Sequence, residues 1–202
     1  YLGEAANTVG AQVVNARPQR TGLNAAQMLQ GQLQALLLLN TEPAFDSSLS
    51  DVSHLARVPM VVTLSPFKAN MDISDVLLPI APFTETAGTF FNTEGVAQSF
   101  HAVVKPLGET RPAWKVLRVL CNLLEIPGVT FETSQEVLAA TGVQAGLVAH
   151  EWLSNASASP MAFNALALDA PPSVAGIYQL DGIVRRAPAL QHTADATQEV
   201  FL

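Results

Sequence analysis

The sequence contains a single cysteine, Cys121, in 202 residues. One thiol cannot form a disulfide within the chain, and it cannot supply the ligands of a Cys₄ zinc or iron–sulfur site. A reactive thiolate needs a cationic, partly exposed setting, whereas Cys121 falls between leucines in an apolar helical pattern. We therefore expect Cys121 to be a small buried apolar residue.

Basic residues are also few, with 10 Lys and Arg against 17 Asp and Glu, a net charge of −7 and a pI near 4.9. They are scattered along the chain, and the only adjacent pair is Arg185-Arg186. Nucleic acids and anionic membrane surfaces bind clustered positive charge. We therefore expect no nucleic-acid partner.

Long apolar runs are missing as well. The densest run, Ala35–Leu39, is far shorter than the roughly 18–20 residues that span a bilayer, so we expect no direct membrane insertion. The composition, 49% apolar and 13% charged, nevertheless allows a substantial core. A mean hydropathy of +0.28 suggests surface that a partner or further chain covers. Because the sequence begins at Tyr1 rather than Met, we expect a piece of a longer polypeptide.

Motifs for catalysis and metal binding are absent. The four histidines have no second ligand at a spacing such as HxxxH or HExxH: they are His54, His101, His150 and His192. There is no GxSxG or SxxK nucleophile motif, and no GxxxxGK[ST] or GxGxxG phosphate loop. We therefore predict no catalytic residue and no metal site in this chain.

Short apolar segments alternate with helix and turn signals in the first half of the chain. We predict strands at Ala35–Leu39, Met60–Leu64 and Asp75–Pro79, with a helix capped by Asn24 before them. Segments that are apolar on both faces are typical of a parallel sheet covered by helices on both sides. The predicted fold class is α/β, a partial doubly wound, mainly parallel sheet with flanking helices.

The second half has a different pattern. The segment GTFFNTEGVAQSF predicts a hairpin, and Thr110 predicts the cap of a helix that buries Trp114 and a leucine face. A capping box at Thr133–Glu136 predicts another helix, and residues 176–184 could include a strand. We predict an α/β region at 1–130 and a looser mixed or helical C-terminal extension at 131–202.

Polar residues and glycine cluster just after the strand that ends at Pro79, namely Glu85, Asn92, Glu94 and Gly95. In α/β proteins this is the usual place for a ligand. Paired carboxylates can act in general acid–base catalysis, but no histidine, lysine or metal ligand accompanies these two. Two alternatives stay open, a working ligand loop or carboxylates that accept hydrogen bonds from loop backbone.

The same stretch resembles the molybdopterin-oxidoreductase superfamily, through DVLLP, the following Glu, Gly-Thr-Phe and NTEG..Q. With VVKPLGETRPAWKVLRVLCNLL after it, the chain resembles the family of large iron–sulfur subunits of NADH-quinone oxidoreductase, respiratory complex I. EAANTVGA near the start and IYQLDGIVRRAPALQHT near the end agree with that resemblance.

The resemblance implies a C-terminal, cofactor-free structural part of that subunit, in an arm that passes electrons from NADH to quinone. Iron–sulfur clusters would lie on cysteines in the missing N-terminal part. Partners would be the other peripheral-arm subunits and the rest of its own subunit, on the cytoplasmic side of the bacterial inner membrane. Val96 stands where the family commonly has arginine, which is why Glu85, Asn92, Glu94 and Gly95 are expected to form a vestigial loop that binds no cofactor.

Two other classes of protein are compatible with the sequence. A fragment of a true molybdopterin-dependent enzyme, similar to formate dehydrogenase, would place loop 85–98 against the pterin. A free-standing α/β domain for a small ligand is also compatible with the fold, although fold alone is poor evidence of function.

Overall fold

The computed structural model describes residues 6–47, 49, 51–143 and 177–197. A parallel sheet runs in the order β1 (Leu36–Leu39), β2 (Val61–Ser65) and β3 (Val76–Pro79). The helices are α1 Thr8–Val13, α2 Ala25–Gln30, α3 Pro43–Asp46, α4 Ala113–Leu123, α5 Ser134–Ala140, α6 Ile177–Leu180, α7 Pro188–Gln191 and α8 Ala194–Thr197. The predicted α/β class and all three predicted strands are confirmed.

One face of the sheet carries the main core. Its buried members are Leu36, Leu38, Leu55, Val61 and Ile73. The alternate residues of β1, Leu37 and Leu39, remain 44% and 43% exposed. Within the described residues, therefore, helices do not cover both faces of β1, although its composition predicted that they would.

The connections around this core use local caps. Asn24 caps α2, as predicted, and with Gln27 it forms a reciprocal capping box. Between β1 and β2 lies a 3₁₀ helix, Ser53–Arg57, preceded by Asp51, whose side chain accepts from the Ser53 N–H. His54 Nε2 lies 2.6 Å from the Leu29 carbonyl oxygen. Because a carbonyl only accepts, this nitrogen must be the donor, so His54 ties the 3₁₀ helix to α2.

The predicted hairpin is present as β4 (Gly88–Phe91) paired antiparallel with β5 (Ala97–Phe100). Gly88 faces Phe100, and a Cβ at Gly88 would lie only 2.7 Å from that ring, so the ring requires glycine there. Phe91 and Ala97 form a second buried cluster with Val143, against which side chains of α1 and α5 pack.

Helix α4 differs from its prediction in two respects. Thr110 does not cap it, because its hydroxyl donates to the Leu107 carbonyl and the helix begins after Pro112. No residue of α4 is fully buried: Trp114 and Cys121 are partly buried, and Leu123 beyond them is 76% exposed. The expectation of a fully buried Cys121 is therefore wrong, because the described chain covers the apolar face of α4 incompletely.

Helix α5 begins at the predicted cap, where Thr133 accepts from the Glu136 N–H. The box is only half formed, since the Glu136 carboxylate accepts from Glu132 N–H rather than from Thr133. Gly142, with φ +73°, follows the end of the helix in a conformation that favours glycine. Arg118 of α4 donates to the Phe131 carbonyl and to Glu132, which joins α4 to the start of α5.

The described C-terminal segment is helical. Residues 177–184 contain α6 and the start of a 3₁₀ helix, Val184–Arg186, so the strand predicted at 176–184 is wrong for these residues. Asp181 explains the choice, because its carboxylate accepts from the Ile183 and Val184 N–H groups and starts the helical turn. His150 and Trp152 lie outside the described residues. No helix within the described ranges is long and apolar enough to cross a membrane.

Candidate functional site

The predicted loop residues Asn92, Glu94 and Gly95 form the turn between β4 and β5. The Asn92 side-chain oxygen accepts from the Glu94 and Val96 N–H groups at 3.0 and 2.9 Å. Gly95 has φ +82°, a conformation that favours glycine, and its N–H donates to the Asn92 carbonyl. The NTEG motif is thus accounted for by turn chemistry, with the Glu94 side chain exposed.

Glu85 lies elsewhere, at the end of a 3₁₀ helix, Phe83–Glu85, that follows β3. Its carboxylate accepts from the Leu107 N–H at 2.9 Å, and the Thr84 carbonyl accepts from Val103 N–H at 2.9 Å. The two glutamates therefore have different surroundings. Glu85 anchors the 103–107 segment, and Glu94 sits at a hairpin turn.

A cavity of about 560 Å³ lies at the carboxyl ends of the three parallel strands. The strand ends, the hairpin, the start of α4 and the C-terminal segment all contribute to its wall, through residues that include Leu39, Phe67, Ile80, Phe90, Phe100, Trp114 and Arg185. Open α/β sheets bind ligands at this edge. We call this region, with the acidic residues that line it, the carboxyl edge.

Two acids of the carboxyl edge follow β1 directly. Glu42 is buried, and Asp46 ends the short helix α3. One oxygen of Asp46 accepts from the Glu42 N–H at 2.7 Å, which fixes the turn after β1. Neither acid was predicted as a site residue, although its position after a buried strand was a usable signal.

Both acids are paired with the adjacent arginines of the C-terminal segment. Arg186 donates to the two oxygens of Glu42 at 2.8 and 2.7 Å, a bidentate pair. Arg185 donates to Asp46 at 2.8 Å, and its Nη1 lies 3.7 Å from Glu42. Two carboxylates and two guanidinium groups balance in charge.

Aromatic rings complete this arrangement. The Arg185 guanidinium lies 4.6 Å from the ring centre of Phe45, and that of Arg186 lies 4.3 Å from the ring centre of Phe67. The Arg185 side chain is only 6% exposed, and its Nη1 has no hydrogen-bond acceptor among the described residues. The only adjacent basic pair in the sequence is therefore held by acids of the same chain, with the Arg185 side chain buried and that of Arg186 31% exposed.

Metal-ligating groups are not clustered in the described part of the chain, where no three His, Cys, Asp or Glu side chains could hold an ion together. The Asn92 oxygen at the hairpin turn is engaged by backbone N–H groups, and the carboxylates of Glu42 and Asp46 at the carboxyl edge are engaged by Arg186 and Arg185. The site therefore consists of an apolar, aromatic cavity beside acids that are hydrogen-bonded to groups of the same chain.

The parallel sheet with its cavity at the carboxyl edge defines an α/β domain of the class that binds ligands at its strand ends. The sequence matches the Molybdopterin oxidoreductase family over residues 1–123, and the chain belongs to this family.

Individual relatives are similar to limited stretches of the chain. "Probable oxidoreductase YjgC" of Bacillus subtilis is 32% identical over 115 residues, which are 53% of this chain and 12% of that protein. "Putative formate dehydrogenase SAB2186c" of Staphylococcus aureus is 45% identical over 51 residues, 25% of this chain and 5% of that protein. A second S. aureus protein, "Putative formate dehydrogenase SAR2393", is 32% identical over 97 residues, 46% of this chain and 10% of that protein. The chain thus spans about a tenth or less of the length of these relatives.

Proposed function

We propose that this chain is the C-terminal, cofactor-free structural part of the large iron–sulfur subunit of NADH-quinone oxidoreductase, respiratory complex I. The observation that carries the cofactor-free role is the pairing of Glu42 and Asp46 with Arg185 and Arg186 at the carboxyl edge. The resemblance of Val103–Leu124 to that subunit supports the assignment to complex I.

We propose that no pterin cofactor binds at this edge. Its polar ring and phosphate would need accessible donors, whereas Arg186 is held by both oxygens of Glu42, Arg185 is held by Asp46, and the Arg185 Nη1, which has no acceptor among the described residues, is buried. The predicted loop offers no replacement, because Asn92 bonds its own turn and Glu85 bonds Leu107. Electron transfer would then take place on iron–sulfur clusters in the missing N-terminal part.

Exposed apolar residues support a structural role beside other chain. Val103 is 81% exposed and Leu107 is 77% exposed, close in sequence to α4 with its incompletely covered face. Apolar area of this kind is typical of surface that a partner covers. We propose that the rest of the subunit and the neighbouring peripheral-arm subunits cover it, on the cytoplasmic side of the inner membrane.

A second candidate is supported by the relatives. Two of them carry names of formate dehydrogenases, so the chain would be part of a molybdopterin-dependent oxidoreductase. In that case the loop 85–98 would contact the pterin, and the exposed Glu94 would be the first residue to consider.

One experiment separates the two candidates. The gene product that carries this chain is affinity-tagged in its own cells, purified in mild detergent, and analysed for metals and co-purifying proteins. The first proposal expects iron, no molybdenum above background, NADH-dependent reduction of a quinone analogue and peripheral-arm subunits. Stoichiometric molybdenum with formate oxidation would overturn it in favour of the second.

A further inference from the structure

We infer that the C-terminal segment 177–197 forms a built-in part of the wall of the carboxyl edge, held there by Arg185 and Arg186, and that it keeps a pterin from that edge. We call this segment the arginine strap. The inference deepens the proposed function and rests on it for the expectation that the edge holds no cofactor in the native protein.

The strap is attached by contacts that are distant in sequence and short in space. Arg186 reaches Glu42 across 144 residues, and both of its hydrogen bonds are shorter than 2.9 Å. Arg185 reaches Asp46 across 139 residues at 2.8 Å. Planar bidentate pairing fixes orientation as well as distance, so the strap binds the carboxyl edge in a single orientation.

Burial makes the strap costly to remove. The side chains of Arg185 and Glu42 are only 6% and 11% exposed. A buried charge that loses its partner is strongly destabilised, whereas the intact pair is neutral. The strap and the two acids therefore act as a unit, because each charge is stable in its buried position only while its partner is present.

Charge explains why a pterin nucleotide would not simply replace the strap. A phosphate-bearing ligand that displaced the arginines would face Glu42 and Asp46 without counter-charges. Like charges in a partly dry site repel strongly. A ligand that left the arginines in place would find their paired nitrogens directed at carboxylates and at the carbonyls of Leu180 and Gly182. The one buried nitrogen of this pair without an acceptor among the described residues, Arg185 Nη1, is not accessible to it.

The attachment is tested by hydrogen–deuterium exchange with mass spectrometry on the full chain. In the double variant Arg185→Ala/Arg186→Ala we expect exchange to rise at least about tenfold in peptides covering 40–46 and 180–192, equivalent to about 1.4 kcal/mol. Peptides covering β2 and β3 should keep their protection. The matched control is Arg111→Ala, whose ion pair with Glu109 is exposed on both sides.

Unchanged exchange at 40–46 in the double variant overturns the inference, as does an equal rise in the Arg111→Ala control. If the double variant does not fold, Arg186→Lys replaces it. Lysine keeps the charge but loses the bidentate geometry, so a smaller rise confined to the same two peptides supports the strap. Wild-type protection in Arg186→Lys overturns it.

The exclusion of cofactor has a separate readout. The wild-type chain is titrated with 6-carboxypterin, a fluorescent pterin, while exchange at 180–192 is monitored. We expect no saturable binding; saturable binding with the strap still protected overturns the exclusion. The two proposals can fail separately. If peripheral-arm subunits fail to co-purify, the complex I proposal is wrong. The inference about the strap is still supported in that case if exchange rises only in the arginine variants and the wild-type chain binds no pterin.

Discussion

Replacing Gly10 with alanine should destabilise the protein through a neighbour's side chain rather than through the helix. Asn7 precedes α1 and does not cap it; instead, its side chain folds over Gly10 and occupies the space that a Cβ would need. From that position the Asn7 oxygen accepts from the Phe91 N–H at 2.8 Å, across 84 residues of sequence. A methyl group at position 10 must therefore displace Asn7 and break this hydrogen bond.

The size of the destabilisation follows from two costs and one smaller gain. Phe91 is only 4% exposed, so its N–H loses its partner in a largely dry environment, at a cost of about 1–3 kcal/mol. Crowding of Asn7 adds about 1–3 kcal/mol, and the better helix propensity of alanine offsets about 1 kcal/mol. We expect Gly10→Ala to lower the free energy of unfolding by about 1–5 kcal/mol.

A sharper test is the sign of the stability change that Gly10→Ala causes in a protein that lacks the Asn7 side chain. Asn7→Ala alone should cost about 1–3 kcal/mol, because it too leaves the Phe91 N–H unpaired. Asn7→Ala removes the three atoms nearest to the added methyl, so Gly10→Ala should become neutral or stabilising by up to about 1 kcal/mol. Urea unfolding followed by circular dichroism measures all four proteins, and only midpoints with unchanged m values are compared.

An equal cost of Gly10→Ala with and without Asn7 would refute this coupling. That result would show that the two residues act independently and that glycine is required by some other neighbour.

Two further predictions concern single side chains. Trp114→Ala should cost about 2–3 kcal/mol in urea unfolding, less than the roughly 3–5 kcal/mol of a fully buried tryptophan, because its ring is partly exposed and lines open cavities; a loss above about 4 kcal/mol would contradict this packing. The Ser53 N–H and then the Ser53 hydroxyl lower the pKa of Asp51, so carboxyl NMR titration should find that pKa below its ordinary value, and Ser53→Ala should raise it part of the way. Since the folded pKa is depressed, the stabilising contribution is present above the ordinary pKa of about 4 and is lost as pH falls through the folded value; a folded pKa at or above the ordinary value would contradict the contacts.

Much of the fold could be predicted because its signals are local. Asn24 with Gln27, the apolar runs of β1 to β3, and the Asn92–Gly95 turn each act over a few residues, so a short window contains the cause and the effect. Where a local signal had competition, prediction failed. Thr110 bonds the Leu107 carbonyl instead of capping α4, and Asp181 starts a helical turn where a strand was expected.

The location of the candidate site was predicted, but not all of the residues that form it. The sequence pointed to the region after β3 and named Glu85, Asn92, Glu94 and Gly95 as a vestigial loop; that this loop binds no cofactor stays a prediction. Glu42 and Asp46 were missed because nothing near them in sequence marks them as paired. Their partners arrive from the far end of the chain.

By itself, the sequence determined the α/β class, the order of its strands, the hairpin and the resemblance to molybdopterin oxidoreductases, because periodicity, turn chemistry and motifs are properties of neighbouring residues. The tertiary structure alone decided that Asn7 accepts a hydrogen bond from Phe91 and that Arg185 and Arg186 pair with the acids of the carboxyl edge. Those contacts bridge 84 to 144 residues, and only the packed core fixes which distant groups meet. The two adjacent arginines are thereby held against two acids, Arg185 buried and Arg186 partly exposed, and their energy depends on partners that no local pattern records.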